Sequence, residues 1–445
     1  MNGQINPEIG IMKLLFASST YPSKTEVFRA ANLVLFELIQ AFNQVPNVDV
    51  YFLKLNISDT DDPNNSKLAT SELTSIGIHV LPSLDISYPQ TRTKTWFQRL
   101  TSLFKADELD YYPILSYQTK VDKIVSELKP DFLFIPWSEQ GTALFARTSI
   151  PFKYAYYGNP DPKAQKTQFL KSLQKDSHFF KNFFKKLKFA RNNKRLEKIH
   201  LNLMREYHSA GNIAANDAQY YLDRNILSSH YIQNIWYPYP KHFNKLQGPS
   251  KNYQICANVG KLSATANSLG LRYLAFELLP IFEKKYPNFP ATFNIYGGGK
   301  LDPVTESELK KYPSVKIHGF VDDLEKELIN SHVFLCTNNA TPYKVCHTRY
   351  LQAWSLKSCV VAHKDATLSI PETQHKKNAL LGKNSEEIAD YLYEALTNED
   401  LRKSMEEGGY QTFNEFFLAP QIVQKILNRY NKYKEVHHGS ETFQK

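Results

Sequence analysis

Residues 291–300, ATFNIYGGGK, and residues 315–323, VKIHGFVDD, decide the fold class of this chain. The β-forming residues from Thr292 to Tyr296 predict a short buried strand, which ends abruptly at the glycines Gly297, Gly298 and Gly299. In an open α/β sheet, ligands bind where strands end, and glycine amides there can approach a phosphate closely. A phosphate-bearing ligand is therefore the first expectation, and a plain glycine turn is the alternative.

The bulk composition limits the class of protein. At 445 residues with 42% hydrophobic content, the chain can bury a large core and is expected to form two domains. It has no apolar run of about eighteen residues that could span a bilayer. Met1–Gly10 lacks the basic and apolar regions of a signal peptide, so a cytoplasmic protein is expected. The net charge of +10 suits an anionic partner: a nucleotide, a membrane surface or nucleic acid.

The first half of the chain predicts a parallel sheet. An apolar strand at residues 11–18 is followed by helical periodicity at 29–43 and by a second strand at 48–55, which is a βαβ unit. The sequence Asp59-Thr60-Asp61 has the form of a metal-binding DxD motif. The prolines and asparagines beside it favour a solvated loop instead. The four cysteines lack CxxC spacing, which favours free thiols over disulfides or zinc.

Polar and aromatic side chains follow three of the predicted strands in this half. They are Ser19, Thr20 and Tyr21 after the first strand, Trp137 and Glu139 after residues 131–136, and Asn159 and Asp161 after residues 150–157. Because parallel strands end at the same edge of a sheet, these groups are expected to line one crevice that can hold an acceptor substrate. Each of them is also compatible with an ordinary turn or helix-capping role.

Residues 163–198 differ in composition from the rest of the chain. They carry twelve Lys or Arg residues against two acidic ones, interleaved with phenylalanines. Paired phenylalanines about one helical turn apart beside lysines favour an amphipathic helix on an anionic membrane surface. The alternatives are a helix whose phenylalanines pack on the domain, and a nucleic-acid surface. No nucleic-acid-binding motif accompanies the segment, so no nucleic acid is expected as a partner.

The strand and helix pattern restarts in the second half. Two prolines in Trp236–Pro240 indicate a linker, so the domains are predicted at 1–237 and 238–415. Strands are predicted near 253–259, 291–296, 315–317, 333–336 and 359–362, with helices between them. Residues 416–435 are expected to form a closing helix that returns to the first domain, and residues 436–445 a flexible tail.

The order of these segments resembles a known family. The series NVGKL, NSLGL, FNIYGGGKL, VKIHGFVDDLEKEL and TRYLQAWSLKSCVVA is similar to the donor-binding half of GT-B glycosyltransferases, and it is closest to the large retaining group called family 4. The resemblance is specific over residues 258–409. Over residues 11–240 it is carried by the order of elements and by the opening MKLLFASSTYP.

The resemblance implies an α/β protein with two Rossmann-like domains facing each other across a cleft. It implies transfer of a sugar from a nucleotide-sugar donor to a glycan, lipid-linked or lipopolysaccharide-type acceptor, with no metal ion. A cytoplasmic enzyme, peripheral on the inner face of the membrane through residues 163–198, fits this reading. The residues that match donor-binding positions of the family are Gly260, Lys261, Asn267, Gly297, Gly298, Gly299, Phe320, Val321, His347, Thr348 and Gln352.

The chain departs from the family at one motif. Two glutamates with seven residues between them usually face the donor, and here those positions are Lys344 and Gln352. Gln352 can still hydrogen-bond a ribose, and Arg349 can bind a diphosphate and steady its developing charge. Arg349 and Lys344 are therefore the candidate catalytic residues. The resemblance implies retention, in which the departing phosphate oxygen takes the proton of the acceptor.

Other nucleotide-binding classes do not fit the residues. A nicotinamide enzyme would need GxGxxG where the chain has Ser18 to Tyr21, and a P-loop NTPase would need a glycine at Asn294 and Ser or Thr at Leu301. The alternative that stays open is a catalytically inactive glycosyltransferase relative that acts as a binding or interaction protein, because the two glutamates are replaced.

Overall fold

A computed structural model describes residues 11–25, 30–57, 63–86, 108–158, 160–173, 179–239, 252–338 and 348–438. These residues form two compact units. The first comprises the chain up to Ile213, Ala218–Ile232 and the chain from Ala419, and the second comprises Ala214–Asp217 and Gln233–Leu418. The chain enters the second unit at Gln233, before the proline-rich segment that suggested the linker. The buried Trp236 donates its backbone N–H to Phe417 O of the second unit at 3.1 Å, which accounts for this position.

The first unit contains a parallel sheet of eight described strands. Their order is β3-β2-β1-β5-β6-β7-β8, and β4 also pairs with β2. The strands are β1 (Met12–Ser18), β2 (Val48–Asn56), β3 (His79–Val80), β4 (Leu84–Asp85), β5 (Phe132–Pro136), β6 (Phe152–Tyr157), β7 (Ser209–Asn212) and β8 (Ser229–Tyr231). All five residues of β5 and all six of β6 are buried, as expected for central parallel strands covered on both faces.

Helices follow the strands of the first unit. They are α1 (Ala30–Asn43), α2 (Pro63–Ser75), α3 (Gln118–Leu128), α4 (Glu139–Phe145), α5 (Asp161–Leu173), α6 (Phe179–Met204), α7 (Ala215–Leu222) and, from the end of the chain, α15 (Ala419–His438). Helix α3 ends at Lys129, whose left-handed φ of 50° closes the helix before Pro130. Tyr430 of α15 stacks on Phe132 of β5, with the ring centroids 5.4 Å apart, so the last helix packs on this unit.

The second unit contains a parallel sheet of six described strands in the order β11-β10-β9-β12-β13-β14. They are β9 (Tyr253–Asn258), β10 (Ala291–Tyr296), β11 (Val315–Gly319), β12 (Val333–Cys336), β13 (Cys359–His363) and β14 (Leu380–Gly382). The helices are α8 (Thr265–Tyr273), α9 (Leu279–Lys285), α10 (Pro303–Leu309), α11 (Leu324–Ile329), α12 (Thr348–Ser355), α13 (Ser385–Thr397) and α14 (Glu399–Phe416). A π-helical turn at Leu274–Leu278 joins α8 to α9.

The helix starts of the second unit follow from their capping residues. Asp302 accepts a hydrogen bond from Thr305 N ahead of α10, and Pro303 occupies the first helical position. Asn384 and Asn398 accept equivalent bonds at the starts of α13 and α14. Each cap satisfies a backbone donor that the helix itself leaves unpaired, so these boundaries are encoded locally in the sequence.

The described residues of the basic segment, 163–173 and 179–198, fall on α5 and α6. One expectation needs correction. The expected flexible tail from Val436 begins too early, because α15 continues through His438. The DxD sequence at residues 59–61 lies outside the described residues.

Candidate donor and acceptor sites

Three loops meet at the carboxyl edge of the second sheet. They follow β9, β10 and β11, which are neighbours in that sheet. Gly297 N donates to Gly319 O at 2.6 Å, and Leu262 N donates to Gly298 O at 2.9 Å. Backbone hydrogen bonds therefore join the glycine turn to the loops on both sides of it. The predicted donor residues Gly260, Gly297 and Phe320 come together at this edge.

The glycine turn depends on an unusually close approach between two backbone segments. A Cβ atom on Gly297 would lie 1.9 Å from Gly260 O, and Gly297 has a φ of +141°. Gly260 itself has a φ of +87°. Side chains are excluded at Gly297 by both contact and conformation. The sequence pattern predicted a glycine turn here, and the structure supplies the reason for the first glycine.

The loop after β9 is fixed by Asn267. This residue is buried, and its Nδ2 atom donates to Val259 O at 3.3 Å and to Lys261 O at 2.8 Å. Its Oδ1 atom accepts from Asn338 Nδ2 at 3.2 Å. The Asn267 side chain thus fixes the shape of the loop. Its role in binding a nucleotide-sugar donor would therefore be indirect, through the position of this loop. The side chain of Lys261 is exposed beside Gly299.

Arg349 reaches the same loop from the second residue of α12. Its Nε atom donates to Val259 O at 3.1 Å, and Nη2 lies 3.9 Å from the position that a Cβ on Gly260 would occupy. The buried Nη1 atom has no hydrogen-bond partner among the described residues. Burial lowers the pKa of Arg349 from its usual value, but a guanidinium keeps its charge in proteins. An unpaired cationic donor beside a glycine loop suits a diphosphate.

The structure describes only some of the other residues predicted around this motif. Gln352 is buried one helical turn after Arg349, so the two share a face of α12. Thr348 begins the helix. Lys344 and His347 lie outside the described residues.

Phe320 and Val321 follow β11, next to the glycine turn. The Phe320 side chain is 78% exposed, and its Cβ lies 4.0 Å from the position of a Cβ on Gly298. A large aromatic ring left in solvent at a strand end offers a flat face for a planar ligand. This position suits the base-binding role expected for residues 320–321.

In the first unit, the loop after β1 is anchored by Glu72 of α2. The Glu72 carboxylate accepts from Ser23 Oγ at 2.7 Å and from Lys24 N at 2.9 Å. Before this anchor, Thr20 N donates to Ser18 Oγ at 3.0 Å. Ser19, Thr20 and Tyr21 therefore lie in a tethered loop at the carboxyl edge of the first sheet.

Trp137 and Glu139 follow β5, which pairs with β1 on one side and β6 on the other. Trp137 has a φ of +43°, which is uncommon for a bulky residue, and its indole stacks on Tyr156 at 5.8 Å. The indole Nε1 atom has no partner among the described residues. Glu139 is exposed, yet desolvation by the surrounding protein and the charge of Asp161 raise its pKa to about 7.

Asp161 begins α5, after β6, and is held by two tyrosines. Tyr112 Oη donates to Asp161 Oδ2 at 2.6 Å, and Tyr157 Oη donates to Asp161 Oδ1 at 3.0 Å. Burial raises the pKa of Asp161 to about 6, and the two hydrogen bonds oppose that rise. Asn159 lies outside the described residues. The strand order β1-β5-β6 thus brings the described candidate acceptor residues to one edge of the first sheet.

The residues that support Asp161 were not among those predicted from the sequence. Tyr112 lies 49 residues before Asp161 in the chain, and His200 lies 88 residues after Tyr112. No local pattern joins positions so far apart. Only Tyr157 had a usable signal, since it ends a predicted strand just before Asp161.

Two absences apply to the described residues alone. None of the helices described is long and apolar enough to cross a membrane. Within the same residues, no group of three or more His, Cys, Asp or Glu side chains could hold a metal ion.

The fold of the whole chain matches GT-B glycosyltransferase structures. Sucrose-phosphate synthase from Thermosynechococcus elongatus aligns with a TM-score of 0.62 at 10% identity over 95% of this chain and 98% of its own. HepE from Anabaena in complex with UDP aligns with a TM-score of 0.59 at 15% identity, over 95% of this chain and 100% of its own. The lipopolysaccharide outer core galactosyltransferase WaaB aligns with a TM-score of 0.59 at 11% identity, over 95% and 99%.

The shared fold confirms the predicted fold class, a two-domain α/β protein of the GT-B type. Residues 254–398 match the family described as Glycosyl transferases group 1, which confirms the resemblance read from the sequence. Among curated proteins, none matches the chain in sequence.

Proposed function

We propose that the protein transfers a sugar, with retention, from a nucleotide-sugar donor held by the second unit to a glycan or lipid-linked acceptor held by the first. Arg349 carries the proposal, because its buried Nη1 atom is an unpaired cationic donor next to the Gly260 and Gly297 loops. UDP bound to HepE, a neighbour of the same fold, supports a nucleoside diphosphate as the ligand class.

In this mechanism, the protein contributes binding and charge stabilisation. Arg349 holds the diphosphate and stabilises the negative charge that grows on it as the bond to the anomeric carbon breaks. The acceptor hydroxyl forms the new bond at that carbon, and its proton passes to the departing phosphate oxygen. This path requires no protein nucleophile and no metal ion.

The donor site is tested by the pair Arg349→Lys and Arg402→Lys. Arg402 is a matched control, because its guanidinium also donates to backbone carbonyls of the second unit, Ala395 O and Leu396 O. UDP, GDP, CMP, ADP and dTDP, with and without common sugars, are screened by thermal shift. One nucleotide should stabilise the native protein and Arg402→Lys, but much less Arg349→Lys, since lysine cannot form a bidentate pair.

The screen also tests the second candidate function, a binding protein without turnover, which is favoured by Lys344 and Gln352 in place of glutamates. Any nucleotide sugar that binds is assayed for slow hydrolysis and for transfer to glycan and glycolipid acceptors. Turnover that is lost in Arg349→Lys supports the transferase. Binding without turnover to any acceptor supports the second candidate, and equal binding by Arg349→Lys contradicts the donor site.

The acceptor is proposed to be lipid-linked because of the surface of α6. Phe183 and Leu187 lie four residues apart on this helix and are 52% and 54% exposed. Lys185, Lys186 and Lys188 are exposed beside them. Phe189 is placed differently, because it stacks on Phe169 of α5 with the ring centroids 4.0 Å apart. An exposed apolar pair among lysines suits an anionic bilayer surface.

Flotation with liposomes tests this surface. The native protein should float with vesicles that contain phosphatidylglycerol and not with pure phosphatidylcholine. The double variant Phe183→Ser/Leu187→Ser should lose flotation. Leu227→Ser is the control, because Leu227 is 85% exposed elsewhere in the first unit. Flotation that does not depend on anionic lipid would contradict the proposal.

A further inference from the structure

A chain of buried hydrogen bonds runs through the first unit to Asp161. Tyr221 Oη lies 2.7 Å from His200 Nε2, and His200 Nδ1 lies 3.0 Å from Tyr112 Oη. Tyr112 Oη donates to Asp161 Oδ2 at 2.6 Å. Tyr112, His200 and Tyr221 are all at most 3% exposed. The proposed transfer mechanism uses none of these three residues.

With Asp161 ionised, one arrangement of hydrogens satisfies every member of this chain. Tyr112 has a single hydroxyl hydrogen, and it goes to Asp161, so His200 must donate from Nδ1 to Tyr112 Oη. His200 Nε2 is then the acceptor, and it accepts a hydrogen bond from the hydroxyl of Tyr221. Burial lowers the pKa of His200 to about 3, so its ring is neutral, as this arrangement requires. Every hydrogen points toward Asp161.

In that arrangement Asp161 receives two hydroxyl donors, one from Tyr112 and one from Tyr157. Tyr157 supplies the second bond, and burial with the nearby carboxylate keeps the pKa values of Tyr112 and Tyr157 well above their usual range. Two donors stabilise the charged form of a carboxylate. The remaining charged and titratable groups lie further along the network: Glu197 accepts from Tyr220 Oη and Arg224 Nε, both at 2.6 Å.

We infer that Tyr112, Tyr157 and His200 are positioning residues that keep Asp161 ionised, so that Glu139 is the carboxyl that gains and loses a proton at the acceptor edge. The inference deepens the proposed function and rests on its assignment of the acceptor to this edge. Glu139 is exposed, whereas the side chain of Asp161 is only 12% exposed. Acceptor hydroxyls thus meet a group that loses its own O–H donor and only accepts hydrogen bonds once the pH has risen through neutrality.

Carboxyl titration by NMR tests this directly in the full-length protein. Glutamate is labelled with carbon-13 at the side-chain carboxyl, and Glu139→Gln identifies the Glu139 signal. The native signal should titrate with a midpoint of about 7. In Asp161→Asn the midpoint should fall by about one pH unit or more, because a neighbouring negative charge is removed. Tyr112→Phe should lower it by less, since Asp161 then holds its charge less well.

The neighbouring tyrosine provides the control. Tyr111 lies on the same segment, and Tyr111→Phe should leave the midpoint unchanged, because the hydrogen bonds described for this network run through the hydroxyl of Tyr112 instead. Circular dichroism checks that each variant folds. A native midpoint near 4.5, the ordinary value for glutamate, would overturn the inference without any variant. A midpoint that stays in place in folded Asp161→Asn would overturn it as well.

This titration uses neither donor nor acceptor, so its outcome is independent of the nucleotide screen. A midpoint near 7 in a protein that binds no nucleotide would contradict the proposed function while leaving the proton assignment standing. Nucleotide-sugar turnover together with an ordinary Glu139 midpoint would support the proposed function and contradict the proton assignment.

Discussion

Gly297→Ala should damage the donor site much more than it damages the fold. The new methyl group would stand 1.9 Å from Gly260 O, and the residue would keep a φ of +141° that L-amino acids rarely adopt. Such backbone strain costs about 1–3 kcal/mol, and the contact cannot be relieved by a side-chain rotation because the neighbour is backbone. The loop at Gly260, which Arg349 contacts through Val259 O, must therefore move.

The size of the effect follows from that strain. If the whole strain of about 1–3 kcal/mol weakens nucleotide binding, Kd rises roughly 5- to 150-fold, because each 1.4 kcal/mol changes Kd tenfold. Isothermal titration calorimetry with the nucleotide that stabilises the native protein measures it. Gly298→Ala is the graded comparison: its Cβ would meet nothing nearer than Phe320 Cβ at 4.0 Å, so Kd should change by less than about threefold. Native affinity in folded Gly297→Ala would refute this reasoning.

Two further predictions concern the exposed aromatic residue of the second unit and the buried histidine of the first. Phe320→Ala should leave the urea midpoint nearly unchanged, because the side chain is 78% exposed. The same change should weaken nucleotide binding by roughly tenfold if the ring stacks on the base. A shifted urea midpoint with unchanged affinity would contradict this prediction. His200 should make the protein acid-sensitive: its folded pKa of about 3 lies below the ordinary 6.5, so its stabilising contribution is present above pH 6.5 and is lost as the pH falls toward 3. Urea unfolding at pH 7.5 and pH 5 should show a smaller loss of stability on acidification in His200→Gln than in the native protein, and equal losses would contradict the assignment.

Much of the second unit could be predicted from local sequence. Alternating β-formers from Thr292 to Tyr296 end at glycines, and that pattern locates the strand and the turn without any knowledge of neighbours. The reason for Gly297 could not be predicted, because its contact with Gly260 joins two loops that are distant in the chain. The position of Arg349 came from resemblance, and its hydrogen bond to Val259 O is a property of the fold.

The first unit was harder to predict in detail. Strand ends located Glu139 and Asp161, since both follow buried apolar runs. Tyr112 and His200 carry no local signal, because each looks like an ordinary core residue until the sheet brings them to Asp161. The basic segment suggested an amphipathic helix, but composition alone did not show that α5 and α6 would pack through Phe169 and Phe189.

Hydrogen–deuterium exchange with and without the stabilising nucleotide tests the central claim most directly, because it locates the donor site without requiring turnover. Protection is predicted in the loops at residues 259–262, 297–299 and 319–321 and at the start of α12, and it should vanish in Arg349→Lys. Protection confined to other segments, or no protection by any nucleotide that shifts the melting temperature, would contradict the account.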